Sequence, residues 1–408
     1  MTGRTIFKDA HVFDGTSFRS EPHHVVLEDG MISRLAPIGT LGDLLPGDTV
    51  VECQGKTVMP GLIDCHVHVM VDTYNPMAMV TKPFSLPFYE SVGHLRRTLE
   101  AGVTTARDAG GADLGVREAI ESGLIAGPRL KLAVAIMSQT GGHADGWVPS
   151  GTDMSIFGEH PGRPSGVADG LDEVRRTTRR LLRAGADQIK ICSTGGVMSP
   201  SDDPRHSQFS PDEIRVIVEE AENQGKYVMA HAQGTQGIRN ALNAGVRSIE
   251  HGIYLDDETI ELMLEKDAFL VPTLVAPLSV VRNAEAGHNI PPLMVQKAIN
   301  VIDDHKAAVA KAIGAGVKIA MGTDSGVGPH GHNTEELHLM AEAGLSLEGA
   351  LAAGTSVAGE LTREPVGRLA AGQRGDVLVL DRELNRTGQL ASLQENISAV
   401  YQGGVRVV

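Results

Sequence analysis

Cysteine is scarce in this chain: Cys53, Cys65 and Cys192 are the only three among 408 residues. They are too few and too scattered for a disulfide framework or a Cys-x-x-Cys zinc site, and they point to a reducing, cytoplasmic compartment. Aromatic residues make up only 3%, which leaves little material for stacking surfaces or aromatic cages. Long apolar runs are missing as well. No stretch reaches the roughly 18 apolar residues that could span a bilayer, and Met1 to Asp9 lacks the apolar core of a signal peptide. Basic charge is outweighed, with 36 Lys and Arg against 51 Asp and Glu, a net charge of -15. That balance argues against a nucleic acid or an anionic membrane as partner, since either would call for a basic surface. The expected partner is a small-molecule substrate, and the chain is expected to form a homo-oligomer.

What is present is an ordinary globular composition, 41% hydrophobic and 21% charged, with 48 glycines scattered among turns. Single cores stop growing at roughly 250 to 300 residues, so a chain of this length suggests one large domain and one smaller one. From Thr5 to about Lys56, short strand-like segments alternate with turn pairs such as Asp14-Gly15 and Asp29-Gly30. The texture returns in Gly375 to Asp381 and in Ile397 to Val408. Neither end is long enough to bury a sheet alone, so residues 1–57 and 366–408 are expected to join into one small β-sandwich domain.

Between them, residues 58–365 repeat a unit: a helix ending in Gly, a short apolar strand, then a polar residue. Ala101-Gly102, Ala184-Gly185, Ala244-Gly245 and Ala315-Gly316 are four copies of one helix stop. The clearest helix runs from Pro211 to about Gln224, with Ser210 as N-cap and Glu213 completing a capping box. Strands are expected near 58–66, 103–108, 130–137, 187–192, 227–231, 246–251, 269–274 and 317–323. Eight apolar strands separated by helical patterns make an α/β fold with a parallel sheet, and the regular period favours closure into a (β/α)8 TIM barrel. An open doubly wound sheet is the alternative, but the first strand leads into Asp64-Cys-His-Val-His68, which is no glycine-rich phosphate turn.

In such a barrel, function is read at the residues closing the strands. Here they are His66, His68, Asp108, Lys190, His231, His251 and Asp324, six of which are types that bind divalent metals. His66 and His68 are two apart in a strand, so both imidazoles leave on one face and make half a metal site. Lys190 is the odd member. A bare ammonium beside metal ions would be repelled, so the lysine is expected neutral or chemically altered. A neutral lysine can take up carbon dioxide, and the resulting carbamate offers two oxygens that can bridge two metals.

His66-Val-His68 after Pro60-Gly-Leu-Ile-Asp64, Lys190, His231, Glu250-His251-Gly252 and Gly322-Thr-Asp324-Ser325 together resemble the amidohydrolase superfamily. The likeness covers nearly the whole chain. Gly141-Gly142-His143-Ala-Asp145 and Thr323-Asp-Ser-Gly-Val327 followed by Pro329-His-Gly-His332 resemble its imidazolonepropionase-like and prolidase-like branch. Several members of that branch are binuclear zinc peptidases acting on Xaa-Pro, Xaa-Lys or Xaa-Arg dipeptides or on N-acyl amino acids. The resemblance implies two divalent ions, with zinc expected. His66, His68 and Asp324 would hold one and His231 and His251 the other, with carbamylated Lys190 and a water between them. Asp324 would also shuttle the proton from the attacking water to the leaving amine.

His143 is expected to meet the substrate's carbonyl or carboxylate. Gln233 stands where Xaa-Pro-type members often carry an aromatic residue or His that reads the carboxylate, a departure that leaves the substrate open. Arg107 could supply a carboxylate fork, although a barrel-end ion pair suits it better. His330, His332 and His338 read mainly as rim or surface residues. The expected reaction is hydrolysis of an amide bond in dipeptides or N-acyl amino acids. The alternatives are a cyclic amide, lactone or carbamate, and then deamination by a mononuclear site. Deaminases resembling this fold place a Glu three residues after the fifth-strand His, and that position is Gly234.

Overall fold

In the computed structural model, which describes residues 3–73, 81–155, 157–199 and 201–408, the turn-rich opening folds as five short strands. These are β1 (Thr5–Val12), β2 (His23–Glu28), β3 (Met31–Pro37), β4 (Thr49–Glu52) and β5 (Thr57–Pro60). β1, β2 and β3 run antiparallel in sequence, with Asp29-Gly30 turning between the last two at positive φ. β1 then serves two further neighbours. Its first half pairs in parallel with β4 and its last residues with β5. Asp9, at φ 57, and a register shift between Phe7 and Ala10 turn the strand from one to the other.

The parallel strands follow: β6 (Leu62–Val67), β7 (Val103–Asp108), β8 (Arg129–Leu132), β9 (Ile136–Met137), β10 (Gln188–Cys192), β11 (Tyr227–Ala232), β12 (Ser248–His251), β13 (Phe269–Val271) and β14 (Lys318–Ile319). The chain ends in β15 (Val377–Leu380), β16 (Ile397–Gln402) and β17 (Val405–Arg406), and β15 pairs antiparallel with β5. Both chain ends therefore meet edge to edge in one connected eight-stranded sheet, ordered β17-β16-β15-β5-β1-β2-β3 with β4 on β1. Two stacked layers were expected. The bend at Asp9 lets a single strand serve both sets of partners.

Closure of the parallel strands also differs from expectation. They form a three-stranded sheet, β6-β7-β8, and a six-stranded one, β9 to β14, and do not close into a continuous barrel. The expected strand 130–137 is interrupted at Val134, whose φ of 68 takes a β-branched residue out of extended geometry and separates β8, which pairs with β7, from β9, which pairs with β10. On the far edge β14 is only two residues long, yet three backbone hydrogen bonds tie the segment beyond it to β6. Cys65 N–H donates to the Met321 carbonyl at 2.8 Å, Asp324 N–H to the His66 carbonyl at 2.7 Å, and His68 N–H to the Ser325 carbonyl at 2.7 Å. These bonds set Asp324 beside the two strand-one histidines.

Helices cover the parallel strands, and their ends follow local chemistry. Ser210 accepts from the Glu213 N–H while the Glu213 carboxylate accepts from the Ser210 N–H, a complete capping box on the helix Pro211–Glu222. Gly245 and Gly316, at φ 95 and 89, close the helices Thr235–Ala244 and Pro292–Ala315 in the left-handed region. One apolar core runs through the strands and helices and reaches Met59, Leu378, Leu380 and Val400 of the terminal sheet. Among the described residues no helix is long and apolar enough to cross a membrane.

Candidate metal centre and active site

Four hydrogen bonds fix how the strand-end histidines face one another. His66 Nδ1–H donates to the Glu250 carboxylate at 2.8 Å, so its Nε2 carries a lone pair, and the Lys190 ammonium lies 3.2 Å from that nitrogen. His68 Nδ1–H donates to the Gly110 carbonyl at 2.8 Å, which leaves Nε2 facing the Asp324 carboxylate at 3.4 Å. His231 is turned the other way: Nε2–H donates to the Gly195 carbonyl at 3.0 Å, and Nδ1 has no hydrogen bond among the described residues. His251 Nδ1 hydrogen-bonds the Thr273 hydroxyl at 2.7 Å. Three imidazoles thus commit one N–H to an oxygen and keep the other nitrogen as a donor pair, the arrangement a divalent cation requires.

Ligand atoms of His66, His251 and Asp324 all lie within 4.8 Å of one another. This trio crosses the two sets expected from the sequence, taking two members from one and His251 from the other. His231 sits alongside, its ring 4.7 Å from that of His251. His251 at φ 73 and Asp324 at φ 56 occupy the left-handed region, which costs a non-glycine residue about 1 to 3 kcal/mol. Burial, followed by the neighbouring Lys190, holds His66 well below the ordinary imidazole range, and burial does the same to His231 and His251. Burial also lowers Lys190 from its usual value. For Asp324 burial acts upward, but His66 and His68 outweigh it and keep the carboxyl ionised.

The floor of a cavity is made by these groups, and its walls are largely apolar, with Ile136, Phe157, Val197, Ile253, Val280 and Val327. His143 and Gln233 line the same cavity. The His143 ring stacks on His231 at 4.3 Å, and its Nδ1–H donates to the Asp202 carboxylate at 3.0 Å. Asp202 is held well below the usual carboxylate range: burial opposes this, but the His143 hydrogen bond and the nearby Lys297 prevail. Lys297 donates to the carbonyls of Gly196 and Ser199 at 3.1 and 2.7 Å, so the turn carrying Asp202 is pinned to the helix Pro292–Ala315.

Arg107 is not in the cavity wall. It is fully buried beneath the site, donating to the Glu250 carboxylate at 2.8 Å, the Cys65 carbonyl at 2.6 Å and the Ser248 hydroxyl at 3.1 Å. Its ion pair therefore sits in the interior, where it steadies the carboxylate that orients His66. Asp108 is likewise structural, accepting from the N–H groups of Val69, Gly110 and Ala112. Cys65 packs into a separate apolar cluster with Phe269 and Val271. His330 departs from the rim reading, for it is buried, donates Nε2–H to the Val71 carbonyl at 2.7 Å and stacks on His94 at 4.9 Å. His332 is exposed and His338 half-buried.

Glu250, Asp202 and Thr273 are the supporting residues that sequence reasoning missed. Glu250 had a signal: it shares a strand face with Ser248 one pleat below the metal-type residue His251. Asp202 and Thr273 had none, because their partners lie 59 and 22 residues away.

Residues 57–407 match the amidohydrolase family. The chain belongs to the amidohydrolase family. Ochratoxinase from Aspergillus niger is 36% identical over 368 residues, 85% of this chain and 75% of that protein. A solved prolidase, complexed with N-methylphosphonate-L-proline, is 36% identical with a TM-score of 0.90, covering 99% of both chains. A solved Xaa-Pro dipeptidase with bound methionine in its active site is 31% identical with a TM-score of 0.89, again over 99% of both. The prolidase-like branch of the amidohydrolases is thus the one this chain falls in, and its α/β fold is of the TIM-barrel type. The chain is a hydrolase acting on C–N bonds.

Proposed function

We propose that this amidohydrolase is binuclear and cleaves the amide bond of dipeptides or N-acyl amino acids. The observation that carries the reading is the set of proton-committed imidazoles gathered with Asp324 and Lys190 at the floor of one cavity. His66, His68 and Asp324 would hold one ion and His231 and His251 the second. Two divalent ions, zinc being the simplest choice for His and carboxylate donors, would supply Lewis acidity toward the scissile carbonyl and the attacking water.

The chain's own residues do the rest. Deprotonated, the Lys190 amine would add to carbon dioxide and release one proton, giving a carbamate that would offer the ions two anionic oxygens where an ammonium would repel them. Asp324, kept ionised, takes the proton from the attacking water and hands it to the leaving nitrogen as the C–N bond breaks. His143, oriented by Asp202, is left with Nε2 for a substrate oxygen, and the apolar walls take an apolar acyl or side-chain group while excluding water. Deamination is disfavoured, because Gly234 stands where deaminases resembling this fold carry the Glu that shuttles protons.

A hydrolysis screen with dipeptide and N-acyl amino acid libraries, read by the amino acid released from the zinc-loaded protein, tests the proposal. Release of amino acid from a subset with apolar acyl groups is the expected result. Turnover confined to lactones or esters would overturn it and leave the metal site standing.

A further inference from the structure

Gln233 stands in the cavity with an unmet hydrogen-bonding capacity. Its side chain is 5% exposed, and Oε1 is fully buried with no partner among the described residues. The backbone around it is tied on both sides. Its N–H donates to the Thr194 hydroxyl at 2.9 Å, and its carbonyl accepts from the Tyr254 N–H at 2.8 Å. The side chain cannot reach water by a local backbone shift without breaking those bonds.

Two residues beyond His231, Gln233 leaves the end of β11 on the same face, and both line the cavity. Gln188 Oε1, Tyr227 Oη and Asn333 Oδ1 are also buried without partners, but none of those residues lines it; of the lining residues His305 has a buried nitrogen, Nδ1, without a partner, and Gln233 a buried oxygen. A buried carbonyl oxygen with no donor is costly, and on a residue that lines a substrate cavity it is satisfied when a side-chain rotation brings it to a donor on the ligand.

We infer that Gln233 Oε1 accepts a hydrogen bond from the N–H of the amide to be cleaved, so that the site selects secondary amides. The inference rests on the amide-hydrolase reading and narrows it. The amide before a proline, or before an N-methylated residue, has no N–H and would leave Oε1 as an orphan in the complex. A site built to pair a substrate N–H rejects the analogue that lacks it far more strongly than an apolar pocket rejects a missing methylene. The substrate class is therefore N-acyl or N-aminoacyl amino acids with a free amide N–H, with Xaa-Pro bonds as poor substrates.

The test compares an N-acyl-alanine with the same acyl group on N-methylalanine and on proline, using zinc-loaded enzyme and reading kcat/KM. The wild type is expected to prefer the secondary amide by about tenfold or more. Gln233→Met should lose that factor on the secondary amide alone. Gln233→Glu, which keeps an acceptor at the same reach, should retain a preference for the secondary amide. The thermal midpoint of Gln233→Met should not fall, since the change removes an orphaned polar atom.

Equal turnover of all three substrates by the wild type would overturn the inference. So would an equal loss on all three in Gln233→Met, because the amide would then be serving the substrate carboxylate or the pocket's shape. If no amide is hydrolysed, the amide-hydrolase reading fails separately. Calorimetric binding of a sulfonamide analogue with N–H and with N-methyl then decides the Gln233 contact. A dissociation-constant ratio near one in the wild type would end it.

Discussion

Glu250 carries two charges' worth of work on one carboxylate, and a single substitution separates them. Its oxygens accept from Arg107 at 2.8 Å, from His66 at 2.8 Å and from Ser248 at 2.5 Å, all away from water. Glu250→Gln leaves the Arg107 guanidinium buried without a counter-ion, a loss of about 3 to 5 kcal/mol for a broken buried pair. Denaturant unfolding of the metal-free variant reads that cost. The same change weakens the acceptor that fixes the His66 tautomer, and metal affinity should fall about 10- to 100-fold in a chelator competition titration. Unchanged affinity would remove Glu250 from any role in preparing the ligand. Gly196 offers the opposite experiment, a change expected to spare stability. A Cβ there would stand 2.4 Å from His143 Cε1 and 2.8 Å from His231 Cε1. Both rings must give way, the loop-borne His143 further than His231, whose Nε2–H is held by the Gly195 carbonyl. Gly196→Ala should lower turnover by about 10²-fold, the scale of an ångström-sized misplacement, with little change in thermal midpoint. Wild-type turnover in that variant would show that His143's seat against His231 is irrelevant to the reaction.

At the scale of single elements, one buried carboxyl caps a helix at a cost that depends on pH. Glu336 accepts from the N–H groups of Leu274 and Val275 at 2.8 and 2.9 Å, closing the start of the helix Val275–Glu285. Burial, only partly offset by those two hydrogen bonds, pushes its pKa up from 4.5 to about 8. Between those values the folded chain keeps a proton that the unfolded chain has released. The stability this uptake supplies is complete below about 4.5 and lost as pH rises through about 8. Wild-type unfolding free energy should therefore decline over that window, by at most about 1.4 kcal/mol per pH unit from this group. Urea midpoints across the window should flatten in Glu336→Gln, and an undiminished slope would assign the dependence to other groups.

Local elements were the legible part of this chain. The Ala-Gly helix stops and the Ser210 capping box involve residues a few positions apart, and the strand-end polar residues follow from a period of two. The break at Val134 was not legible, because nothing in a Leu-Ala-Val-Ala-Ile run announces a β-branched residue at φ 68. Nor was the burial of Arg107, whose counter-charge comes from a strand 143 residues away. Sequence order shows which side chains close strands. It does not show which buried partners turn them.

The whole molecule gains from its candidate centre what the backbone ladder leaves out. The parallel strands form two sheets, and the candidate ligands are divided between them: His66 and His68 with β6 in one, Lys190, His231 and His251 with β10, β11 and β12 in the other. Asp324 lies past β14, bonded through its backbone to His66. A pair of divalent ions held by this set would cross-link the two sheets at the C-terminal ends of their strands, in addition to the backbone bonds between β6 and the segment beyond β14. Binding to the folded state alone stabilises by RT ln(1 + [L]/Kd), about 2.7 kcal/mol for each ion at a hundredfold excess over Kd. Removing metal with a chelator should therefore lower the thermal midpoint by several degrees, with recovery on adding zinc. Hydrogen exchange should rise in the metal-free protein at β6 and at β10 to β12 together, since loosening one side of the cross-link releases the other. The terminal sheet, which shares core residues such as Leu378 but supplies no ligand, should keep its protection. Unfolding midpoints and exchange rates that are the same with and without metal would mean that the two sheets are held by packing and by the backbone bonds between β6 and the segment beyond β14, with any bound ions serving only the chemistry.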